Sequence, residues 1–351
     1  MSKPVRVGVI GAGANTRTRH IPGFQTIAGV EVVAICNRTK ASGERVAKEF
    51  GIPRVAENWR EIIASPEIDA ICIGTWPNLH GKLTIAALRA GKHVLTEARM
   101  ARNLAEAELM LAEAKAHPDL VAQIVPAPLS LPFDATIADL LQTNRLGDIR
   151  EVFLTATTGG LANSTLPLSW RQDLTLNGKN TLYLGIYYEM ALRWLGRGVT
   201  ALVADAAIFT KERKNEEEVP QPTTIPESVT VLGNYADGAR LVAHFSGVET
   251  TAPRAEIRLN GSDAGLRLDL AKGELWLARR GEMEKPVTVA PEKRGEWRVE
   301  ADFIDSIREG TPVRLTNFST GVDYMRFTEA VWESWSNDRR RVTLQPYCSR
   351  L

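Results

Sequence analysis

The feature that most constrains this chain is an alternation of short apolar runs and amphipathic segments over its first 125 residues. The apolar runs have the length of buried strands, and helical periodicity follows each of them. The predicted strands are Val5–Ile10, Val30–Cys36, Ala70–Gly74, His93–Leu95 and Val121–Val125. The predicted helices are Ala41–Phe50, Trp59–Ala64, Leu79–Ala90 and Leu104–His117. Buried strands separated by helices are typical of βαβ units, so a parallel α/β sheet is expected over residues 1–125.

Residues 126–351 show a different pattern, in which strand-like segments mostly alternate apolar and polar residues. These segments are Ile149–Thr157, Ala201–Phe209, Ser228–Ala236, Ala239–Ser246, Arg254–Asn260, Gly265–Leu270 and Glu274–Ala278. Helical signals occur at Asp134–Thr143, Thr181–Leu195, Trp297–Ile307 and Thr320–Ser336, and the charged, Pro-rich segment Lys211–Pro226 is predicted to be a surface loop. We expect a second, α+β domain with a large open, mainly antiparallel sheet.

Composition narrows the function classes. Lys plus Arg is 43 and Asp plus Glu is 42, so the chain has no basic field for nucleic acid. No apolar run approaches the roughly 18 residues that span a bilayer, and Met1–Lys3 leads straight into a strand, without a visible signal peptide. The three cysteines and the histidines show no disulfide or metal spacing: Cys36, Cys72 and Cys348, and His20, His93, His117 and His244. We therefore expect a cytoplasmic protein without a bound metal.

A glycine-rich turn stands between the first predicted strand and the helix that follows. Gly11 would supply the backbone angles of the turn, and Gly13 would let a pyrophosphate approach the main chain at a helix N-terminus. The usual third small residue is not clear, since Ala14, Asn15 and Thr16 follow instead. This context predicts a dinucleotide site, although an empty turn of the same shape would have the same sequence.

The end of the second strand bears on which dinucleotide is bound. An acidic residue here would bind the ribose 2′-hydroxyl of NAD, but the sequence has Asn37 and Arg38. Asn37 carries no charge to repel a 2′-phosphate, and Arg38 could pair with one. The cofactor prediction is therefore NAD(P), with NADP favoured. In the alternative, Arg38 stacks on adenine and serves either cofactor.

Several motifs in order resemble the Gfo/Idh/MocA oxidoreductase family. They are Gly11–Gly13, Thr75-Trp76-Pro77-Asn78-Leu79-His80, Gly91–Glu97, Trp170-Arg171 and Asp302–Gly310. The resemblance spans roughly residues 4–344. It implies an N-terminal Rossmann domain, a C-terminal domain with an open sheet, NAD(P), sugar-like substrates, and homodimers or homotetramers formed through that sheet. It also implies cofactor contacts from Thr75, Trp76, Asn78, His80 and Glu97, with a structural role as the alternative for His80. Trp170 and Arg171 match a family element that reaches the cofactor or the substrate, and Arg171 could instead be a surface cation.

The predicted catalytic positions depart from this family. Members usually carry Glu-Lys-Pro after the fourth strand, where the lysine polarises the substrate oxygen, but this chain has Glu97-Ala98-Arg99. Arg99 could supply a positive charge, although its pKa is too high for proton transfer. A structural ion pair is the alternative.

The family's second motif, a carboxylate and a histidine on one helix face, aligns with Tyr183 and Tyr187. A spacing of four places both tyrosines on one face, where Tyr187 could act as general acid or base and Tyr183 could line the pocket. A packing stripe is the alternative reading. Lys179, Asn180 and Glu189 are the predicted substrate-binding residues, with Lys179 a candidate for the missing amine.

Three functional hypotheses follow. The first is an NAD(P)-dependent oxidoreductase that transfers hydride at a secondary alcohol or ketone carbon of a sugar, cyclitol or related polyol. The second is a relative that recycles NAD during elimination or glycoside cleavage. The third is a dinucleotide-binding sensor or regulatory protein without catalysis.

Overall fold

The computed structural model describes residues 3–215 and 217–345. The described residues divide into two compact units. One comprises the residues up to Pro126 together with Arg298–Val322, and the other comprises Ala127–Trp297 together with the residues from Asp323 onward. The sequence predicted a single boundary near residue 125. It did not predict that residues 298–322 belong to the first unit.

The first unit is built on a parallel sheet, which we call the N-terminal sheet. Its six described strands lie in the order β3-β2-β1-β4-β5-β6, which is the arrangement of a Rossmann domain. The apolar runs give completely buried side chains at Val7 and Val9 of β1 and at Ile71 and Ile73 of β4. The strands are β1 Val5–Ile10, β2 Val30–Cys36, β3 Arg54–Val55, β4 Ala70–Ile73, β5 His93–Thr96 and β6 Ala122–Ile124.

The helices of this unit begin and end at residues suited to those positions. The Thr39 side chain accepts a hydrogen bond from Ser42 N at the start of α2, and Gly51 ends that helix with a φ of 67°. A short π-helical segment, Thr16–His20, precedes the first α-helix. The helices are α1 Ile21–Gln25, α2 Lys40–Phe50, α3 Trp59–Ile63, α4 Pro77–Arg89 and α5 Leu104–Ala116.

The second unit contains a large sheet, which we call the C-terminal sheet. Nine of its described strands follow the order β16-β15-β14-β13-β7-β12-β11-β8-β17, and only β12 and β7 pair in parallel among them. Its strands are β7 Ile149–Thr157, β8 Ala201–Ala207, β11 Ser228–Asn234, β12 Arg240–Ser246, β13 Arg254–Gly261, β14 Ala264–Asp269, β15 Glu274–Arg279, β16 Lys285–Pro286 and β17 Val342–Thr343. Alternation puts Leu154 and Phe245 on the buried face, and Phe153 and His244 on the other.

The segment predicted to be a loop, Lys211–Pro226, contains a two-stranded hairpin. Its strands are β9 Glu212–Lys214 and β10 Pro220–Pro222, which pair antiparallel. Its charged composition concealed one completely buried residue, Arg213. The prediction of a surface loop was therefore wrong for this part of the segment.

The remaining helices are α6 Leu131–Gln142, α7 Leu174–Asn177, α8 Leu184–Leu195, α9 Val299–Glu309 and α10 Phe318–Ser336. The two sheets and their helices confirm the predicted fold class, a Rossmann domain and a domain with an open, mainly antiparallel sheet. The bounds of the predicted helices and strands differ from the observed ones by up to three residues. No helix among the described residues is long and apolar enough to cross a membrane.

Candidate functional site

The glycine turn lies at the carboxyl end of β1. Gly11 has a φ of 85°, and a Cβ added there would lie 2.7 Å from Thr75 Cγ2, so the turn requires glycine for its own structure. A Cβ added at Gly13 would meet only Gly74 O, at 3.6 Å. Gly13 and Ala14 are exposed. Space therefore remains above Gly13 for a ligand to approach the main chain.

A third glycine, Gly74, completes this turn, and the sequence pattern did not identify it. A Cβ on Gly74, at the end of β4, would lie 2.0 Å from Thr16 Oγ1 and 2.3 Å from Gly11 O. The Thr16 side chain is buried against this glycine. Thr16 was predicted to bind cofactor, but only its main chain could do so. A glycine directly after a buried strand was the available signal.

The end of β2 is tied to the same turn. Asn37 Oδ1 accepts a hydrogen bond from Ala12 N at 2.8 Å, so Asn37 fixes the turn without adding charge. Arg38 is exposed, and its guanidinium carbon lies 5.9 Å from the centre of the Trp76 ring. This is within the range of a cation–π contact. This contact brings the end of β2 close to the loop after β4. In a Rossmann domain these two segments flank the adenine half of the crevice.

The loop after β4 is supported from behind by His80. This completely buried side chain places Nδ1 2.9 Å from Arg99 O and Nε2 2.9 Å from Thr75 O. Burial lowers the pKa of His80, despite those two contacts. Of the two roles predicted for His80, the contacts are those of the structural one, since the side chain joins two loops inside the protein. Asn78 is half-buried, and its buried Oδ1 has no partner among the described residues.

A buried polar network lies beneath the loop that follows β5. The completely buried His20 has Nε2 3.0 Å from Glu97 Oε1 and Nδ1 2.5 Å from Glu300 Oε1. Asn15 Nδ2 donates to Glu97 Oε1 at 2.5 Å. Burial opposes the charge on His20, but the contacts with Glu300 and Glu97 outweigh it and raise the pKa of His20 to about 9. Glu97 is likewise desolvated, but the hydrogen bond from His20 lowers its pKa.

This network assigns Asn15 and Glu97 a role in building the site. Their side chains contact each other and His20, partners that the sequence did not indicate, and the cofactor contacts of both residues stay predictions. Ala98 and the half-buried Arg99 follow Glu97 and are joined by a cis peptide bond. His20 and Glu300 were missed because their pairing is tertiary.

In the second unit, Trp170 and Arg171 form one short 3₁₀ turn. Ser169 and Gln172 close a capping box around it, and the Arg171 guanidinium carbon lies 4.3 Å from the centre of the Trp170 ring. Desolvation lowers the pKa of Arg171, and the phenol of Tyr183 acts in the opposite direction. The turn is therefore close to the start of α8.

Tyr183 is the N-cap residue of α8, and Tyr187 lies one turn into the helix, where its N–H donates to Tyr183 O at 3.0 Å. Tyr183 is 41% exposed and Tyr187 is 2% exposed. Their rings meet edge-to-face at 6.2 Å, and Tyr187 packs in the same manner on Phe245 at 5.6 Å. Burial, with a smaller contribution from Tyr183, raises the pKa of Tyr187. Tyr187 therefore keeps its proton at neutral pH and is a weaker acid than a solvent-exposed tyrosine.

The three predicted substrate-binding residues have structural partners instead. Lys179 forms a salt bridge with Glu329, so its amine does not replace the missing lysine. Asn180 is completely buried, and its Nδ2 donates to Asn177 O at 2.7 Å. Glu189 is buried and accepts hydrogen bonds from Ala127 N and Arg193, each at 2.9 Å. Each of the three residues thus has a structural partner that the prediction of substrate binding did not include, and two of these partners, Glu329 for Lys179 and Ala127 for Glu189, are distant in sequence.

Among residues 3–215 and 217–345, no group of three or more His, Cys, Asp or Glu side chains is arranged to hold a metal ion. Cys36 and Cys72 are buried free thiols, and the burial of Cys72 raises its pKa well above the ordinary value. Cys348 lies outside the described residues.

The sheet order and the glycine turn define a dinucleotide-binding Rossmann protein. Residues 5–124 match the family described as "Oxidoreductase family, NAD-binding Rossmann fold", and residues 135–267 match the "GFO/IDH/MocA C-terminal domain". The two matches cover both halves of one architecture. The chain belongs to the Gfo/Idh/MocA family.

Two reductases are among the curated relatives. The dTDP-3,4-didehydro-2,6-dideoxy-alpha-D-glucose 3-reductase of Saccharopolyspora spinosa is 30% identical over 193 residues, covering 55% of this chain and 56% of the relative. The chain thus spans little more than half the length of the first such relatives. The enzyme of the same name from Streptomyces antibioticus is 27% identical over 90% of this chain and 92% of its own.

The fold is also that of levoglucosan dehydrogenase. Its apo form superposes with a TM-score of 0.88 at 20% identity, covering 98% of this chain and 99% of that one. Its complex with NADH and levoglucosan gives a TM-score of 0.84 at 22% identity, covering 98% and 100%.

Proposed function

We propose that the protein is an NAD(P)-dependent oxidoreductase that acts on a sugar, cyclitol or related polyol. The observation that carries the proposal is the contrast between the two glycines of the turn. Gly11 is required by its backbone conformation and close contacts, whereas a Cβ at Gly13 would meet only Gly74 O, at 3.6 Å. Two relatives named as reductases of a dTDP-linked didehydro sugar support the substrate class. The levoglucosan dehydrogenase complex with NADH supports it as well.

The residues at the carboxyl edge of the N-terminal sheet fit a dinucleotide. Gly13 and Ala14 would face its pyrophosphate, and the buried Oδ1 of Asn78 offers an acceptor that the described protein leaves unused. Glu97 follows β5 on the nicotinamide side of the crevice, since the two halves of a dinucleotide lie on either side of the switch point between β1 and β4. When bound, the cofactor supplies or accepts a hydride.

The preference for NADP is part of the proposal. Arg38 is exposed beside Trp76, where its guanidinium can meet a 2′-phosphate. Asn37 uses its side-chain oxygen to hold Ala12, so no carboxylate stands at the position that would repel that phosphate. Stacking of Arg38 on the adenine would also fit the geometry and would serve NAD equally well.

Tyr187 is the proposed proton donor in the direction of carbonyl reduction. Its ring is fixed between Tyr183 and Phe245. Tyr187 is protonated at neutral pH, and its proton would pass to the substrate oxygen as hydride adds to the carbonyl carbon and that oxygen becomes strongly basic. Arg99 is proposed as a source of positive charge in the first unit, and Tyr183 as a residue that lines the substrate pocket of the second.

The test is a panel of sugars, cyclitols and their keto derivatives with NAD⁺, NADP⁺ and the reduced cofactors, followed through the absorbance of the reduced nicotinamide. We expect turnover with at least one member and faster turnover with the NADP pair. Firm binding of the cofactor with no turnover in either direction would instead favour a sensor or regulatory protein.

We further propose that the protein is a cytoplasmic homodimer or homotetramer that associates through the outer face of the C-terminal sheet. This face presents Phe153 and the 41% exposed Leu232. The free thiols Cys36 and Cys72 are consistent with a reducing compartment. Light scattering coupled to gel filtration would measure the assembly, and replacement of Leu232 by Lys should shift it towards monomer.

A further inference from the structure

One completely buried ion pair in the second unit is not part of the site described so far. Arg213 lies on β9, and Glu227 lies just before β11. Their side chains are 0% exposed, and their nitrogen and oxygen atoms meet at 2.9 Å. A buried pair is weak evidence for stability as such, because desolvation offsets much of the attraction. The other hydrogen bonds of Arg213 and Glu227 therefore indicate the role of this pair.

The Arg213 guanidinium binds the segment that leads into Trp170. We call residues 158–172 the Trp170 loop; it has no regular secondary structure before the 3₁₀ turn at Trp170. Arg213 donates to three carbonyl oxygens of this loop, those of Leu161 at 2.8 Å, Asn163 at 2.8 Å and Leu166 at 3.2 Å. Buried carbonyl groups in an irregular segment need such donors.

The hairpin and the residues after it hold the same loop at two further points. Leu168 N donates to Lys214 O at 2.7 Å. Thr224 Oγ1 donates to Gln172 O and accepts from Leu174 N, each at 3.3 Å. Glu227 completes the arrangement, since its second oxygen accepts from the main-chain N–H groups of Phe209 and Thr210.

We propose that Arg213, held by Glu227, is a positioning residue that sets the Trp170 loop for sugar binding in the proposed reaction. The hairpin is thus the support on which Trp170 and Arg171 are carried to the substrate. The inference rests on the proposed function for its consequence in catalysis, and on the hydrogen bonds above for the anchoring. A lysine at position 213 would keep the charge but lose the planar fork that reaches several carbonyls at once.

The test compares Arg213→Lys with the wild type and with Lys214→Ala. The control removes a surface amine of the same hairpin, which pairs with Glu218, and keeps the Lys214 carbonyl that Leu168 uses. For the sugar found in the panel, we expect Arg213→Lys to raise KM about 10-fold or more with kcat nearly unchanged, because a displaced loop weakens substrate binding throughout the reaction. The dissociation constant of NADPH should not change, and Lys214→Ala should match the wild type.

Hydrogen exchange measures the anchoring without any substrate. Amides of 158–172 should exchange faster in Arg213→Lys, while those of α8 keep their wild-type rates. Unchanged exchange in this loop would overturn the inference even if the panel yields no substrate, and an unchanged KM would overturn it if the panel yields one. A fall in kcat with KM constant would also count against it.

If Arg213→Lys does not fold, Thr224→Ala provides the second variant. This substitution removes one half-buried hydroxyl, which hydrogen-bonds Gln172 and Leu174 at the end of the Trp170 turn. The Arg213–Glu227 ion pair stays intact. We expect a smaller rise in KM and faster exchange around Gln172. Wild-type values for both measurements would overturn the inference.

Discussion

His20 Nδ1 lies 2.5 Å from Glu300 Oε1, although 280 positions separate the two residues in the chain. The contact ties the segment after the glycine turn to α9, and through His20 Nε2 it reaches Glu97 at the end of β5. The loop that carries Ala98 and Arg99 is therefore anchored from inside the first unit. Glu97 thus has a structural role in the first unit that does not depend on the residue at position 98.

The first prediction concerns the pH dependence of stability. The folded-state pKa of His20 is about 9, raised from about 6.5 in the unfolded chain. A raised pKa contributes stability that is fully present below about pH 6.5 and is lost as the pH rises through about 9. Denaturant unfolding from pH 6 to 9.5 should therefore show a steeper loss for the wild type than for His20→Gln. Parallel curves for the two proteins would contradict the proposed charge on His20.

The second prediction separates the two glycines of the turn. Gly11→Ala should lower the melting temperature, because its φ of 85° and the 2.7 Å approach to Thr75 leave no room for a methyl group. Gly13→Ala should melt as the wild type does and should weaken cofactor binding about 10-fold or more, because its methyl group occupies the approach to the main chain. Thermal melting and fluorescence titration with NADPH measure the two effects. Equal binding by Gly13→Ala and the wild type would place the pyrophosphate elsewhere.

The third prediction concerns Arg38. Replacement by Ala should raise KM for NADP⁺ about 10-fold, a loss typical of one charge-assisted contact, and leave KM for NAD⁺ within about 2-fold. Arg17→Ala is the matched control, since Arg17 is an exposed arginine near the same turn that pairs with Glu49. Equal losses for both cofactors would indicate stacking of Arg38 on adenine.

Part of the fold and of the candidate site could be predicted from the sequence, and part could not. Gly11 and the parallel α/β sheet follow from local patterns, because strand length, helical period and a positive φ are encoded in neighbouring residues, whereas the Rossmann domain was implied by the family resemblance. Arg193 lies four residues after Glu189 on one helix, so their ion pair could have been predicted from the spacing. Lys179 was chosen on position, but Glu329, 150 residues away, pairs with its charge, and such a partner depends on the folded chain. Arg213 was concealed for the same reason, since its charged neighbours resemble a solvated loop.

The fourth prediction tests the proton donor. Tyr187→Phe should lower kcat about 10²-fold or more while the protein melts normally, because the ring keeps its contact with Phe245 and loses only the hydroxyl. Tyr183→Phe removes an exposed hydroxyl four residues earlier and should have the smaller effect. If Tyr183→Phe has the larger effect, the proton donor is Tyr183.

The most direct measurement of the central claim is the transfer of hydrogen itself. The protein would be incubated with oxidised cofactor and with carbon-deuterated members of the sugar panel, and the cofactor would then be analysed by mass spectrometry. We expect deuterium in the reduced nicotinamide with at least one sugar, and labelling about 10-fold slower with the Gly13→Ala variant when the cofactor concentration is below the wild-type dissociation constant. Cofactor that binds firmly but carries no deuterium with any member of the panel would contradict the assignment as a sugar oxidoreductase.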